Sequence, residues 1–223
     1  MSSLPYRLEP TEGYTRYKMT AMLRDYLGMV MEQPENAPYV QQVLSMLEGY
    51  TNQLKQLKTI NRFETVKEVY KAVDGFFDKA PEETKKNIQC KAGCTACCFI
   101  DLDISREEAA LIVNYCREND IEIDKEYLTK QVSIGRRPSN GMSRCVFLKD
   151  NLCSIYPVRP VSCRKHFVNS DPALCDASKN AVDKVDRYFD INSEILASAL
   201  LNVDVTEKLE AALLGELEKA AAV

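Results

Sequence analysis

Apolar residues recur at helical spacing through the first third of the chain. Val40, Val43, Leu44, Leu47, Tyr50, Leu54 and Leu57 fall at i, i+3, i+4, i+7 positions, one stripe along a helix face. Phe63, Val66, Val69, Tyr70, Val73, Phe76 and Phe77 do the same across 61–79. Tyr14 to Met31 predicts an earlier helix, stopped by Gln33-Pro34 and Pro38, because proline cannot extend a helix from its interior. Ala80-Pro81 interrupts the third helix, and Pro81-Glu82-Glu83 starts a short further turn. Such stripes are the core faces of a helical bundle.

The pattern changes after Cys98. Ile100, Leu102 and Ile104 alternate with Asp101 and Asp103, the period of a short strand. Ser105 then opens a helix and forms a capping box with Glu108, hydroxyl and carboxylate each accepting from a free N–H. Ala109, Ile112, Val113 and Cys116 share its inner face, where Cys116 is a small buried apolar residue. Residues 133–144 are rich in turn formers and read as a loop. Cys145-Val146-Phe147-Leu148, a turn at Lys149-Asp150-Asn151, and Leu152 to Tyr156 read as a hairpin, since Asp and Asn tolerate left-handed backbone.

Helix returns with Val182, Val185, Tyr188 and Phe189, and again with Ile195, Leu196 and Leu200. Asp204 with Glu207 predicts the cap of a last amphipathic helix through Leu209, Leu213, Leu214 and Leu217, which closes the core or serves a dimer. The expected fold class is mainly α: a helical bundle with a small cysteine-rich metal-binding insertion containing a short β-hairpin. It forms a single domain, 1–223, with N-terminal helices at 14–87, a cysteine-cluster region at 88–168 and C-terminal helices at 176–221.

At 223 residues the chain buries a core without covalent staples, so its nine cysteines are not compensating for small size. The N-terminus has no apolar segment of the kind a signal peptide carries, and no apolar run approaches the ~20 residues of a membrane span. The expected location is cytoplasmic, where thiols stay reduced and clustered cysteines bind metals or catalyse.

The cysteines fall into two blocks. Cys90, Cys94, Cys97 and Cys98 have the spacing C-x3-C-x2-C-C, and Cys145, Cys153 and Cys163 have C-x7-C-x9-C. Thiolates are soft ligands suited to zinc, copper(I) and iron–sulfur clusters. Gaps of two or three residues let one loop place successive sulfurs around a metal, and Gly93 suits that turn. Adjacent Cys97 and Cys98 point in different directions, so the first block alone is half a site, closed by the second. The three-cysteine spacing is also that of radical S-adenosylmethionine enzymes, but the flanks lack the strand–helix alternation of their barrel. The single histidine, His166, follows Arg-Lys and reads first as solvated or hydrogen-bonded, with a ligand or base role as the alternative.

Both blocks in order, with Cys145-Val146-Phe147-Leu148 and the run Tyr156-Pro157-Val158-Arg159-Pro160-Val161-Ser162-Cys163-Arg164 intact, resemble the YkgJ-type cysteine-cluster family. The resemblance covers about 88 to 166 and implies a zinc- or iron-chelating domain. A related motif in flagellin lysine methylases implies that such a domain can join a methyl-transfer enzyme. This chain lacks the Gly-rich strand–helix turn that binds S-adenosylmethionine. Three functions stay open: a metal or iron–sulfur (4Fe-4S) protein without its own catalysis, working with a protein partner; a cluster- or zinc-dependent redox or protein-modifying enzyme; and a helical interaction domain with a structural zinc.

Charge sharpens this picture. Residues 130–166 carry eight Lys and Arg against Asp150 alone, within a chain of net charge −4. A thiolate-bound metal is anionic and costly to bury unpaired. Arg144, Tyr156, Arg159 and Arg164 are therefore expected around the ligands, neutralising them and donating to sulfur. Arg136 and Arg137 read as a solvated basic loop. A nucleic-acid surface is disfavoured, because the pI of 5.3 is acidic and aromatics hardly interleave with the basic residues.

Overall fold

The computed structural model describes residues 16–91, 93–136, 141–175 and 184–221. Helices dominate it, with two small antiparallel two-stranded sheets, so the expected mainly α class with a short hairpin holds.

The N-terminal helices are α1 (Ala21–Met31), α2 (Ala37–Ile60), α3 (Arg62–Asp78) and the short α4 (Glu82–Asn87). Pro38 sits in the first turn of α2, where a missing N–H costs nothing, and Asn61 caps α3 by accepting from Phe63 and Glu64 N–H. The two sequence stripes become core: Val40, Val43, Leu44, Leu47, Val66, Val69 and Val73 are all buried. The helix expected from Tyr14 begins instead at Ala21, because the Thr20 hydroxyl accepts from Leu23 N–H and fixes the start; Tyr14 lies outside the described residues.

These helices wrap α8 (Ile191–Leu201), which is buried along nearly every face from Ser193 to Leu200. A helix apolar all round is a central one, and Ala197, Ser198 and Ala199 let its neighbours approach. A second core joins α5 (Arg106–Glu118), α6 (Lys125–Ile134) and α9 (Leu209–Ala221) with the hairpin β2 (Leu148–Lys149) and β3 (Leu152–Cys153). Ile112, Leu128, Phe147, Ile155 and Leu213 meet there, and Cys116 packs with them as expected. The hairpin turns at Asp150 (φ 48°) and Asn151 (φ 60°), both left-handed. One further short helix, α7 (Val161–Arg164), carries Cys163.

Three local expectations fail, each for a long-range reason. The strand β1 is Asp103–Ser105, and it pairs with β4 (Thr206–Lys208) from the far end of the chain, Ile104 facing Glu207. Glu207 therefore lies in a strand, paired with Arg106, while Asp204 pairs with Lys58 at 2.7 Å, so neither caps α9. The described part of the expected 182–189 helix is extended. Val168 bridges Arg187, Tyr188 N–H donates to Phe167 O, and Asn169 N–H to Asp186 O. Phe167 stacks on Phe77 with Tyr188 at its edge, which holds the segment down; Val182 lies outside the described residues. Among the described residues, no helix is long and apolar enough to cross a membrane.

Candidate metal centre

The first cysteine block is a tight turn followed by a 3-10 turn. Cys94 N–H donates to Lys91 O at 3.0 Å around Gly93, whose φ of +82° only glycine adopts without strain. Cys97 and Cys98 ride on the 3-10 turn Ala96–Phe99. Here the two blocks are joined: Cys145 N–H donates to the Cys98 carbonyl at 2.8 Å. Cys153 lies in β3, opposite Leu148, and Cys163 N–H donates to Pro160 O at 2.9 Å within α7.

All seven sequence-predicted cysteines are partly buried, and most feel one another's charge. Cys98 donates to Cys97, which brings Cys97 down to about 7 and drives Cys98 up. Burial pushes Cys145 up to about 11, with Cys153 adding to the rise and Arg136 opposing it. Burial also raises Cys163, helped by Cys145, Cys97 and Cys153. Cys153 is raised by burial and by Cys97, against Arg159. Cys90 is raised by burial and then by Cys94 and Cys97. Cys97 thus bears on Cys98, Cys153 and Cys163 in one group and on Cys90 in the other.

An eighth thiol was not expected there. Cys175, in the 3-10 turn Pro172–Cys175, packs against the turn holding Cys97 and is raised by burial and then by Cys90, Cys94 and Cys97. Soft sulfur donors gathered in two blocks and a neighbouring turn fit a thiophilic metal, which would deprotonate its sulfur ligands. Among the described residues, no three His, Cys, Asp or Glu side chains stand close enough to ligate one ion.

The expected arginines separate. Arg159 lies 3.8 Å over the Tyr156 ring and favours the thiolates of Cys97 and Cys153. Arg164 donates to Asp74, Pro157 O and Arg159 O, and lies 4.2 Å from the Tyr70 ring, holding α7 to α3. The Arg144 side chain is exposed; its carbonyl accepts from Tyr127 and Gln131. Arg136, expected in solvent, is instead buried. It donates to Cys98 O at 2.7 Å and Ser143 O at 2.8 Å and pairs with Glu210 at 3.1 Å. Its carboxylate partner stands 74 residues on, in α9, where no local pattern announces it. Arg137 lies outside the described residues.

Cys163 is positioned by a second buried carboxylate. Glu108, beyond its capping role, accepts from Val161 N–H at 2.8 Å and Tyr70 Oη at 3.2 Å, tying the first residue of α7 to α5. His166 is half-buried, and burial first, then Arg187 and Lys165, bring it down to about 4.

Residues 89–187 match the family model CxxCxxCC, described as a "putative zinc- or iron-chelating domain". The cysteine spacing carries the same resemblance, and the match runs past His166 to take in Cys175 and Arg187. The model's name writes two residues in the first gap, where this chain has Lys91, Ala92 and Gly93. No curated protein and no solved structure matches the chain.

Proposed function

We propose that this protein holds a thiolate-ligated iron–sulfur cluster through the two cysteine blocks and Cys175, and works as a cytoplasmic metal-cluster protein. The observation that carries the reading is the Cys145 N–H to Cys98 carbonyl bond, which joins the two blocks. A structural zinc takes four ligands and so does a four-cysteine cluster, so the eight thiols exceed what one centre needs and leave room for a second. Such a cluster supplies electron transfer or Lewis acidity, while Arg136 and Arg159 offset its negative charge and Glu108 holds Cys163 in place. Zinc is the second reading; the description of the matched domain, zinc- or iron-chelating, admits both.

Anaerobic purification followed by elemental analysis and a visible spectrum decides between them. Iron with acid-labile sulfide in a brown protein supports the cluster. A colourless protein with stoichiometric zinc and no sulfide establishes the second reading, and a metal-free one overturns both.

A further inference from the structure

A cleft of about 440 Å³ opens beside the cysteines, with Cys97 and Cys163 in its wall. Its volume lies in the ~300–1,000 Å³ range of small-molecule sites. Two of its lining side chains, His166 and Arg187, present a buried nitrogen, Nε2 and Nε respectively, without a hydrogen-bond partner among the described residues. Buried polar atoms are normally paired, and each exception asks for a ligand or a water.

The charges around the cleft are unevenly matched. Lys165 is paired with Glu194 at 2.7 Å. Asp101 and Asp103 face Lys208 at 3.8 and 3.2 Å, and Arg24 lies 4.0 Å from Asp25 on an exposed helix face. Arg187 has no carboxylate partner among the described residues. Its planar guanidinium matches a carboxylate or phosphate with two parallel hydrogen bonds, and a neutral imidazole can add an N–H donor. The larger groove along α3, about 750 Å³, differs: Lys67, Lys71, Lys79 and Arg164 line it with Glu68, Asp74 and Asp78, Arg164 is paired with Asp74, and no thiol lines it.

We infer that this cleft binds a small molecule through an oxyanion group, carboxylate or phosphate, held by Arg187 and His166 and set against Cys97 and Cys163. The anion site stands on the cleft alone; only the ligand's placement at a metal centre rests on the proposed function.

Calorimetric titration of the purified protein with inorganic phosphate and with succinate, at fixed ionic strength and against chloride, tests it. Saturable binding of either anion is expected, and the one that binds names the group. Arg187→Gln weakens that binding about tenfold or more, Arg187→Lys less, and His166→Gln several-fold. Lys71→Gln, the same charge loss in the other groove, leaves it unchanged. Should Arg187→Gln fail to fold, the lysine and His166 variants carry the comparison. No saturable heat with either anion overturns the proposal, as does an equal loss from Lys71→Gln. Metal content measured in parallel separates the two readings. Anion binding by a metal-free protein keeps the cleft and sinks the centre. A metal-loaded protein that binds neither anion, and sheds its metal on Arg187→Gln, assigns Arg187 to the thiols instead.

Discussion

The two sides of Cys97 are built differently. Cys145, Cys153 and Cys163 sit on a hairpin and a helix turn backed by the second core, joined by Cys98 on its 3-10 turn, with Arg136, Glu210 and Glu108 buried behind them. Cys90, Cys94 and Cys175 hang on turns, tied by the Gly93 bend and one Gln89 N–H to Val168 O bond. The first group is therefore expected to lead metal binding and the second to close on it. The largest expected effect follows: Cys145→Ser or Cys163→Ser abolishes metal content, Cys90→Ser or Cys175→Ser lowers it partially, and Cys116→Ser leaves it intact. Metal analysis of all five variants checks this, and equal losses on both sides of Cys97 would break the contrast.

The same contrast separates two arginines. Removing one partner of a buried ion pair strands the other charge, so Arg136→Ala is expected to cost about 3–5 kcal/mol in denaturant unfolding. Arg159, stacked on the exposed Tyr156, is expected to cost at most ~1 kcal/mol in stability. Arg159→Ala shows itself instead at the thiols, as slower alkylation of Cys97 once the charge that favours its thiolate is gone.

Glu108 gives a pH test of how Cys163 is held. Burial raises its carboxyl above the ordinary 4.5. In the unfolded chain it loses its proton near that value, while the folded protein keeps it to higher pH. Its contribution is therefore fully present below pH 4.5 and is lost as pH rises through the raised value. Glu108→Gln cannot titrate. The wild type should lose stability relative to this variant as pH climbs above that point, measured by unfolding midpoints across the range. A parallel pH dependence in both proteins would show that Glu108 does not titrate on folding.

What could be read from the chain follows from the range of each interaction. The α2 and α3 stripes and the Asp150-Asn151 turn are local, so periodicity and turn chemistry identify them. The β1–β4 ladder, the Arg136–Glu210 pair and the contact of Cys175 with the first block join distant residues. Nothing within a short window marks them. The apolar residues Val185, Tyr188 and Phe189 suggested a helix, yet backbone bonds to 167–169 and the Phe77–Phe167 stack outweigh that propensity. The cysteine blocks were legible as a candidate site because their density has few other physical meanings. Arg187 was not, because its significance lies in what it lacks.

Two glycines give the finest version of the comparison. Gly93 and Gly49 both have open space where a Cβ would go, so neither substitution meets a clash. Gly93 holds φ +82°, in the turn between Cys90 and Cys94, where an L side chain is strained. Gly49 lies within α2, where alanine is the better residue. Gly49→Ala should therefore stabilise the fold by about 0.5–1 kcal/mol. Gly93→Ala should cost about 1 kcal/mol, read as roughly fivefold weaker metal affinity with little change in the unfolding midpoint of the metal-free protein, because that turn matters most once the sulfurs close. If Gly93→Ala shifts the metal-free midpoint as much as it shifts affinity, the outer turn is already part of the fold, and the two sides of Cys97 are more alike than their scaffolds suggest.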